Sequence, residues 1–232
     1  MDIGHFTLQL MDRMNNYNKW IINKFIKYLS GSILEIGCGI GSITQYCVDK
    51  CDVTAVDISS EYVNIVKERF GYSKKFRAQI LDIEKELDGS LKEDSFDTIV
   101  CSNVLEHILD DVNALKNMNK LLKKDGHLVL LVPFGNALFS DLDKNLGHHR
   151  RYSKKDIKDK LLQAGFSIEK QFNINIIGAM GWFVTGKILK RKELNKDLLI
   201  TFNFLTPLFI FIDTIVRIPF GLSIINICKK TK

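Results

Sequence analysis

The sequence predicts an α/β protein: a doubly wound parallel sheet, helices on both faces, ending in an antiparallel pair of strands with an apolar helical insertion between them. Five short apolar runs, at 33–36, 53–56, 76–81, 96–102 and 127–132, alternate with segments of helical period. Strands separated in this way by helices pair in parallel and are covered on both sides. After Gly165 the texture changes. Phe166–Ile174 and Leu222–Lys229 read as two further strands, and the apolar stretch Ile176–Phe220 reads as helical. The simplest topology places those two strands side by side. At 232 residues, with 46% hydrophobic and 26% charged side chains, the chain suits one elaborated domain over 1–232, which excludes disordered, collagenous and coiled-coil classes.

The elements follow in order. Met11, Met14, Tyr17, Ile21, Phe25 and Leu29 recur at spacings of three and four, which predicts one amphipathic helix over Leu8–Leu29. Ile33–Ile36 is a buried strand ended by Gly37, and Ser42–Lys50 is its helix. Val53–Val56 ends at Asp57, and Ser59 or Ser60 caps a helix carrying Tyr62, Val63, Val66 and Phe70. Phe76–Leu81 and Phe96–Ser102 are strands. Asp110–Lys124 is a helix with Val112, Leu115, Met118, Leu121 and Leu122 on one face, stopped at Lys123–Gly126. His127–Val132 is a strand closed by Pro133. Ser153, with Asp156 three residues on, opens a further helix that Gly165 ends.

The formal net charge of +6 favours acidic partners without the density of a nucleic-acid binder. The five cysteines, Cys38, Cys47, Cys51, Cys101 and Cys228, are odd in number and form no CxxC, which points to a reduced, cytoplasmic setting. Met1–Leu10 lacks the pattern of a secretory signal. From Leu198 to Cys228 the only carboxylate is Asp213 and the only strong base Arg217, long enough to raise the question of a membrane.

Glu35-Ile36-Gly37-Cys38-Gly39-Ile40-Gly41 lies where a strand gives way to a helix, the crevice position at which open α/β sheets bind nucleotides. The spacing is G-x-G-x-G, with Ser42 and Thr44 where a dinucleotide fingerprint wants its third glycine. Glu35, two residues ahead of the turn, suits a cationic ligand with an amino-acid tail better than a pyrophosphate. Asp57, about twenty residues beyond the loop, stands where a carboxylate accepts ribose hydroxyls or, alternatively, caps the next helix. Asp82 and Ile83 face the same crevice, as an acceptor for an exocyclic amine with an isoleucine on the ring, or as a turn.

Together with Ser102-Asn103-Val104-Leu105-Glu106-His107, these residues resemble the class I S-adenosylmethionine-dependent methyltransferases, in the small-molecule group typified by the methyltransferase 11 and 12 families. The resemblance covers about 17–170. It implies a Rossmann-like seven-stranded sheet with a reversed last strand, and S-adenosylmethionine as cofactor. On this analogy Glu35, Gly37, Cys38, Gly39 and Gly41 hold the methionine moiety, Asp57 and Ile58 the ribose, and Asp82 and Ile83 the adenine, with Asn103 and Val104 lining the methyl side. Tyr17-Asn18-x-Trp20 resembles an amino-terminal lid, here 1–30, in which an aromatic covers the cofactor; Tyr17 and Trp20 also read as helix core.

Methyl transfer needs collinear reactants, exclusion of water and, for a hydroxyl or ammonium, a base. Gly147-His148-His149-Arg150-Arg151-Tyr152 follows the fifth strand on the acceptor side. His148 or His149 could take the proton, and Arg150, Arg151 and Tyr152 could bind a carboxylate or phosphate. His107 is a third base candidate or a helix cap. No metal site is expected, because adjacent histidines diverge and neither Asp141 nor Asp143 is a compelling third ligand. Ser102–Leu105 lacks the Pro-Pro-aromatic turn of amino-type nucleic-acid methyltransferases, so no nucleic-acid substrate is expected. The apolar insertion, 175–220, reads as a lid over the acceptor that could self-associate into a homodimer or rest on a membrane surface, with Lys187, Lys190, Arg191 and Lys192 as a basic flank. The expectation is transfer to an O or N atom of a small polar or anionic metabolite. A hydrophobic or lipid-linked acceptor, or a binding protein without catalysis, stand as alternatives.

Overall fold

The computed structural model describes residues 3–87, 89–216 and 219–231. Seven strands form one sheet in the order β3-β2-β1-β4-β5-β7-β6: β1 (Ser32–Ile36), β2 (Asp52–Asp57), β3 (Phe76–Ile80), β4 (Phe96–Ser102), β5 (Leu122–Pro133), β6 (Phe166–Ile174) and β7 (Ser223–Lys230). The first five pair in parallel, and β7 runs antiparallel to both β5 and β6. From β1 the order steps through β2 to β3 in one direction and, after the chain crosses back, through β4 and β5 in the other. A crevice therefore opens at the carboxyl ends of β1 and β4.

Side chains alternate across the sheet. Leu34, Ile99, Leu128 and Leu130 pack on one face against α4 (Asp111–Leu121) and α6 (Lys154–Gln163). Ile33, Val53, Val100 and Val129 pack on the other against α2 (Asn15–Asn23) and α3 (Ser60–Phe70). Both sets are nearly fully buried, so the strand runs are apolar throughout rather than alternating. Ser59 caps α3 by accepting from Tyr62 N–H, and Ser153 caps α6 by accepting from Asp156 N–H at 3.0 Å.

Three elements differ from the sequence expectation. The helix over Leu8–Leu29 is broken into α1 (Ile3–Asp12), α2 and a 3₁₀ turn at Ile26–Tyr28. The Asn18 carboxamide donates to Met11 O at 2.8 Å and so satisfies a terminal carbonyl of α1 that a continuous helix would have bonded itself. Ser42–Lys50 forms only a 3₁₀ turn at Thr44–Tyr46 within irregular turns. Ile43, Thr44 and Val48 are β-branched, and the Thr44 hydroxyl is drawn away to Glu35. The stop at Lys123–Gly126 is absent: β5 begins at Leu122, directly after α4.

Between β6 and β7 lie α5's later neighbours α7 (Ile176–Phe183), a π-helical turn (Val184–Ile188) and α8 (Lys196–Ile215); α5 itself (Asp141–Asn145) follows β5. Pro207 has no N–H for the carbonyl of Asn203, and Asn16 Nδ2 donates to that carbonyl at 3.1 Å instead. Asn203 Oδ1 accepts from the N–H groups of Asn16 and Tyr17, at 3.0 and 3.2 Å, capping α2. Asp213 accepts from Asn175 N–H at 2.6 Å and Ile176 N–H at 2.9 Å, capping α7 with a carboxylate at the positive end of its dipole. Asn203, Thr206 and Asp213 thus face the domain, with Thr206 fully buried, while Thr201 and Thr214 are exposed and donate to carbonyls of their own helix. Ile200, Phe204, Leu208, Phe211 and Ile215 share the opposite, exposed face, Phe204 at 77%. Arg217, the other charge expected in this stretch, lies outside the described residues.

Candidate functional site

Glu35 and Asp57 stand at the carboxyl ends of β1 and β2, and Asp82 two residues beyond β3, so three acids line adjacent positions on one edge of the sheet. Gly37 and Gly41 have φ of +67° and +88°, and a Cβ on either would overlap Val104 or Phe70 respectively. Asp57 holds the turn: Oδ2 accepts from Gly39 N–H and Oδ1 from Ser59 N–H, both at 2.9 Å. A carboxylate oxygen has a second lone pair, so acceptor capacity remains. Glu35 is buried and accepts from the Thr44 hydroxyl. Burial pushes its carboxyl up to about 8, against the Thr44 bond and with the charge of Asp57 adding to the rise.

The second half of the site is built after β4 and β5, which are neighbours in the sheet. The 3₁₀ turn Leu105–His107 follows β4, and the loop carrying His148 follows α5. His149 N–H donates to Glu106 O at 2.9 Å and joins the two segments. His107 and His148 then meet edge to face, ring centroids 4.8 Å apart. Asp143 Oδ1 accepts from His148 Nδ1 at 3.1 Å and from Arg151 Nε at 2.7 Å, while its Oδ2 accepts from Ser140 N–H and Trp182 Nε1 at 2.9 and 3.2 Å. Burial of Asp143 opposes its charge, but the His148 bond and the Arg151 guanidinium outweigh it and hold the carboxyl below the usual range. Glu106 is fully buried, and neither carboxyl oxygen has a hydrogen-bond partner. Burial pushes it up to about 7, tempered by His148. His107 keeps an exposed side, but desolvation of its ring where it packs into the cluster, with His148 beside it, brings that imidazole down to about 4.

The Methyltransferase domain family matches residues 34–128, the segment that carries the glycine loop and the β4 end. Over residues 34–128 the chain matches a methyltransferase domain, on a fold it shares with S-adenosylmethionine-dependent methyltransferases. Among curated relatives it is 28% identical over 173 residues to an uncharacterized methyltransferase of Schizosaccharomyces pombe, covering 68% of this chain and 59% of the relative. It is 34% identical over 158 residues to a non-reducing polyketide synthase of Metarhizium anisopliae, covering 58% of this chain and 7% of the synthase. The chain therefore spans well under two thirds of the length of these relatives. Its fold is shared with an S-adenosylmethionine-dependent methyltransferase from Mesorhizobium loti (TM-score 0.65, 14% identity, 94% and 100% of the two chains covered). It is shared too with phosphoethanolamine N-methyltransferase 2 of Haemonchus contortus in complex with S-adenosyl-L-methionine (TM-score 0.63, 19% identity, 94% and 53% covered).

The methyltransferase domain places its expected cofactor residues unevenly. Glu35, Gly37, Gly39, Gly41 and Asp57 converge at the crevice with Val104, and the acids with the glycine cradle fit a sulfonium ligand bearing an amino-acid tail and a ribose. Cys38 is buried, its N–H donating to Val56 O at 3.0 Å, and burial raises its thiol. Asn103 is exposed with φ of +53°. Asp82 makes the turn, accepting from Glu84 N–H at 3.1 Å and pairing with Lys85 at 3.1 Å. Ile83 is buried in the core rather than lying on the crevice surface, whereas Ile58 is exposed.

Two expectations are revised. Tyr17 and Trp20 do not form the cover of the glycine loop. Tyr17 packs edge-on against Trp20 and Phe202, both at 6.0 Å, and its burial raises the phenol to about 12. The segment over the loop is α1: Leu8 faces Gly39, and Asp12 accepts from Ser42 Oγ at 2.9 Å and pairs with Arg69 at 3.4 Å. Nor are Arg151 and Tyr152 open to a substrate. Arg151 is buried on Asp143, and its guanidinium lies 4.7 Å from the Trp182 ring centroid. Tyr152 is fully buried, donating to Asp111 Oδ2 and Leu105 O at 3.0 and 3.1 Å. Arg150 pairs with Asp111 at 2.9 Å and is partly exposed. His149 is exposed, whereas the rings of His148 and His107 are in contact. Glu106, His107 and His148 offer donor atoms all within 4.8 Å of one another, a set that does not use the adjacent pair His148 and His149.

Sequence reasoning missed Glu106, Trp182, Thr44 and Asp12. Their partners are distant in the chain, and the only local hint was a carboxylate beside a candidate histidine. A cavity of about 340 Å³ opens at the end of β6, lined by Lys154, Phe172, Asn173, Ile176, Asp213 and Phe220 among others.

Proposed function

We propose that this chain methylates an oxygen or nitrogen atom of a hydrophobic or lipid-linked acceptor reached from a membrane surface, on its cytoplasmic side. The observation that carries this reading is the polarity of α8. Its polar residues Asn203, Thr206 and Asp213 are spent inside the domain, and a whole face of large apolar side chains is turned outward. A helix packed against a domain in water shows the reverse arrangement. α8 is long and apolar enough to cross a bilayer, with mean hydropathy 1.9. Spanning would break the caps that Asn203 and Asp213 give to α2 and α7, which favours a helix lying in the interfacial plane. Lys187, Lys190, Arg191 and Lys192 are exposed beside it, where anionic headgroups would meet them.

The small anionic acceptor is the weaker reading, because Arg151 and Tyr152 are consumed internally and Arg150 is tied to Asp111. When bound, S-adenosylmethionine supplies a methyl group already activated by its sulfonium. The chain then has to bind it at Glu35, the glycine turn and Asp57, exclude water with α1, and take a proton from the acceptor. The His148, His107 and Glu106 cluster is the place for that proton, with Asp143 fixing the His148 ring.

The test supplies labelled S-adenosylmethionine with membrane-lipid and aqueous extracts of the host in parallel. Label is expected in the organic phase, together with flotation of the protein on anionic vesicles. Label confined to the aqueous phase, with no vesicle binding, would refute the reading.

A further inference from the structure

We propose that Glu106, His107 and His148 form a binding site for a single divalent cation of the zinc class. The donors come from two segments after neighbouring strands, and the structure prepares each of them. Nδ1 of His148 faces a carboxylate oxygen of Asp143 at 3.1 Å, and Nδ1 of His107 faces the carbonyl oxygen of Gly147 at 3.2 Å. Both partners accept only, so each Nδ1 carries a proton and Nε2 is the nitrogen each ring has left to offer a metal. Fixing a ligating histidine through its other nitrogen, on a carboxylate or a backbone carbonyl, is how proteins orient imidazoles toward a metal.

Glu106 supplies the third donor. Its two oxygens are fully buried without a hydrogen-bond partner, and Oε1 lies 3.9 Å from Nε2 of His148. Two acceptor lone pairs facing one another in a dry setting repel unless a proton or a metal cation stands between them. The donor atoms lie within 4.8 Å of one another. A tetrahedral zinc site with bonds near 2.0–2.1 Å needs separations of about 3.4 Å, a contraction that side-chain rotation supplies. Two histidines and one glutamate leave a fourth position open, the composition of catalytic rather than structural zinc sites. His107 is exposed, so that position opens to solvent. On the reading given under Proposed function, a bound cation would take over the cluster's part in deprotonation: the open position would hold the acceptor oxygen, lower its pKa and let its proton leave to solvent. Cation binding itself does not depend on what the acceptor is.

The experiment uses full-length protein stripped with a chelator, without acceptor. Zn²⁺ is titrated by calorimetry, Co²⁺ by its visible ligand-field absorption, and S-adenosylmethionine binding is measured on every variant as a check of folding. One equivalent of either ion is expected, with a tetrahedral cobalt spectrum. His107→Ala, on an exposed ring, and the near-isosteric Glu106→Gln are each expected to weaken binding about tenfold or more, with S-adenosylmethionine affinity kept. His149→Ala is expected to bind as the parent does. Absence of stoichiometric metal in the parent would overturn the proposal. So would unchanged cobalt spectra in both His107→Ala and Glu106→Gln, or loss of binding in His149→Ala. Retained S-adenosylmethionine binding in a metal-free protein would leave the methyltransferase reading intact.

Discussion

Replacing Arg151 with methionine separates two roles for the loop after α5. The Arg151 side chain is almost completely buried. It donates to Asp143 Oδ1 at 2.7 Å and to Phe134 O at 3.2 Å, and its guanidinium lies against Trp182. Methionine fills comparable volume but leaves Asp143 buried without its strongest counter-charge. A charge-assisted bond contributes about 1.5–3 kcal/mol and a bond to a neutral carbonyl about 1 kcal/mol. Breaking one side of a buried ion pair costs about 3–5 kcal/mol in all. For a domain of this size each kcal/mol moves Tm by about 2–4 °C, so the expected fall is on the order of 10 °C. Thermal unfolding followed by circular dichroism reads it, and steady-state kinetics on the folded fraction read KM for the acceptor. Destabilisation with KM nearly unchanged is the result for an internal strut. A Tm within about 2 °C of the parent together with a large rise in KM would refute the argument and return Arg151 to the substrate.

Asp57→Ala removes the acceptor for Gly39 N–H as well as the expected ribose contact, and S-adenosylmethionine affinity by calorimetry should fall about 10- to 100-fold, equivalent to about 1.5–3 kcal/mol. Glu35 titrates near 8 in the folded chain against an ordinary 4.5. Between those values the folded state holds a proton that the unfolded state releases, so stability falls as pH rises through that window. Urea unfolding at several pH values should show that slope, and Glu35→Gln should flatten it; an unchanged slope would place Glu35 in water. His148→Ala should abolish methyl transfer while His149→Ala retains most of it, measured with labelled cofactor at saturating acceptor. Equal rates in the two variants would remove the cluster from the chemistry.

The strands were legible because parallel strands buried on both faces are largely apolar, as Ile33–Ile36 and Val53–Val56 are, while Phe166–Ile174, an antiparallel edge strand, mixes apolar and polar residues. The antiparallel ending was legible for a topological reason: a long insertion between two adjacent strands leaves the second free to reverse. The glycine loop was legible from spacing. The helix break at Arg13–Met14 was not, since apolar periodicity continues across it and only the Asn18 side chain bonding back to Met11 shows why it fails. Burial of Arg151 and Tyr152 was illegible because their acids, Asp143 and Asp111, sit at positions that mean nothing until α4 and α5 are folded against the loop. Glu106 and His148 are likewise far apart in the chain and meet only because β4 and β5 are adjacent.

On the proposed membrane reading, the outward apolar face of α8 would change the dimensionality of the encounter with an acceptor. The carboxyl end of α8 is tied by Asp213 to the start of α7, just beyond the end of β6, the edge on which the crevice also opens. A domain settled on a bilayer by that face would search a plane instead of a volume. An acceptor held in the same plane is then met at a raised effective concentration, as for any two partners confined together. A modest intrinsic affinity for the acceptor would be enough for turnover there, and the same pocket would meet water-borne analogues of that acceptor too seldom to methylate them at a comparable rate.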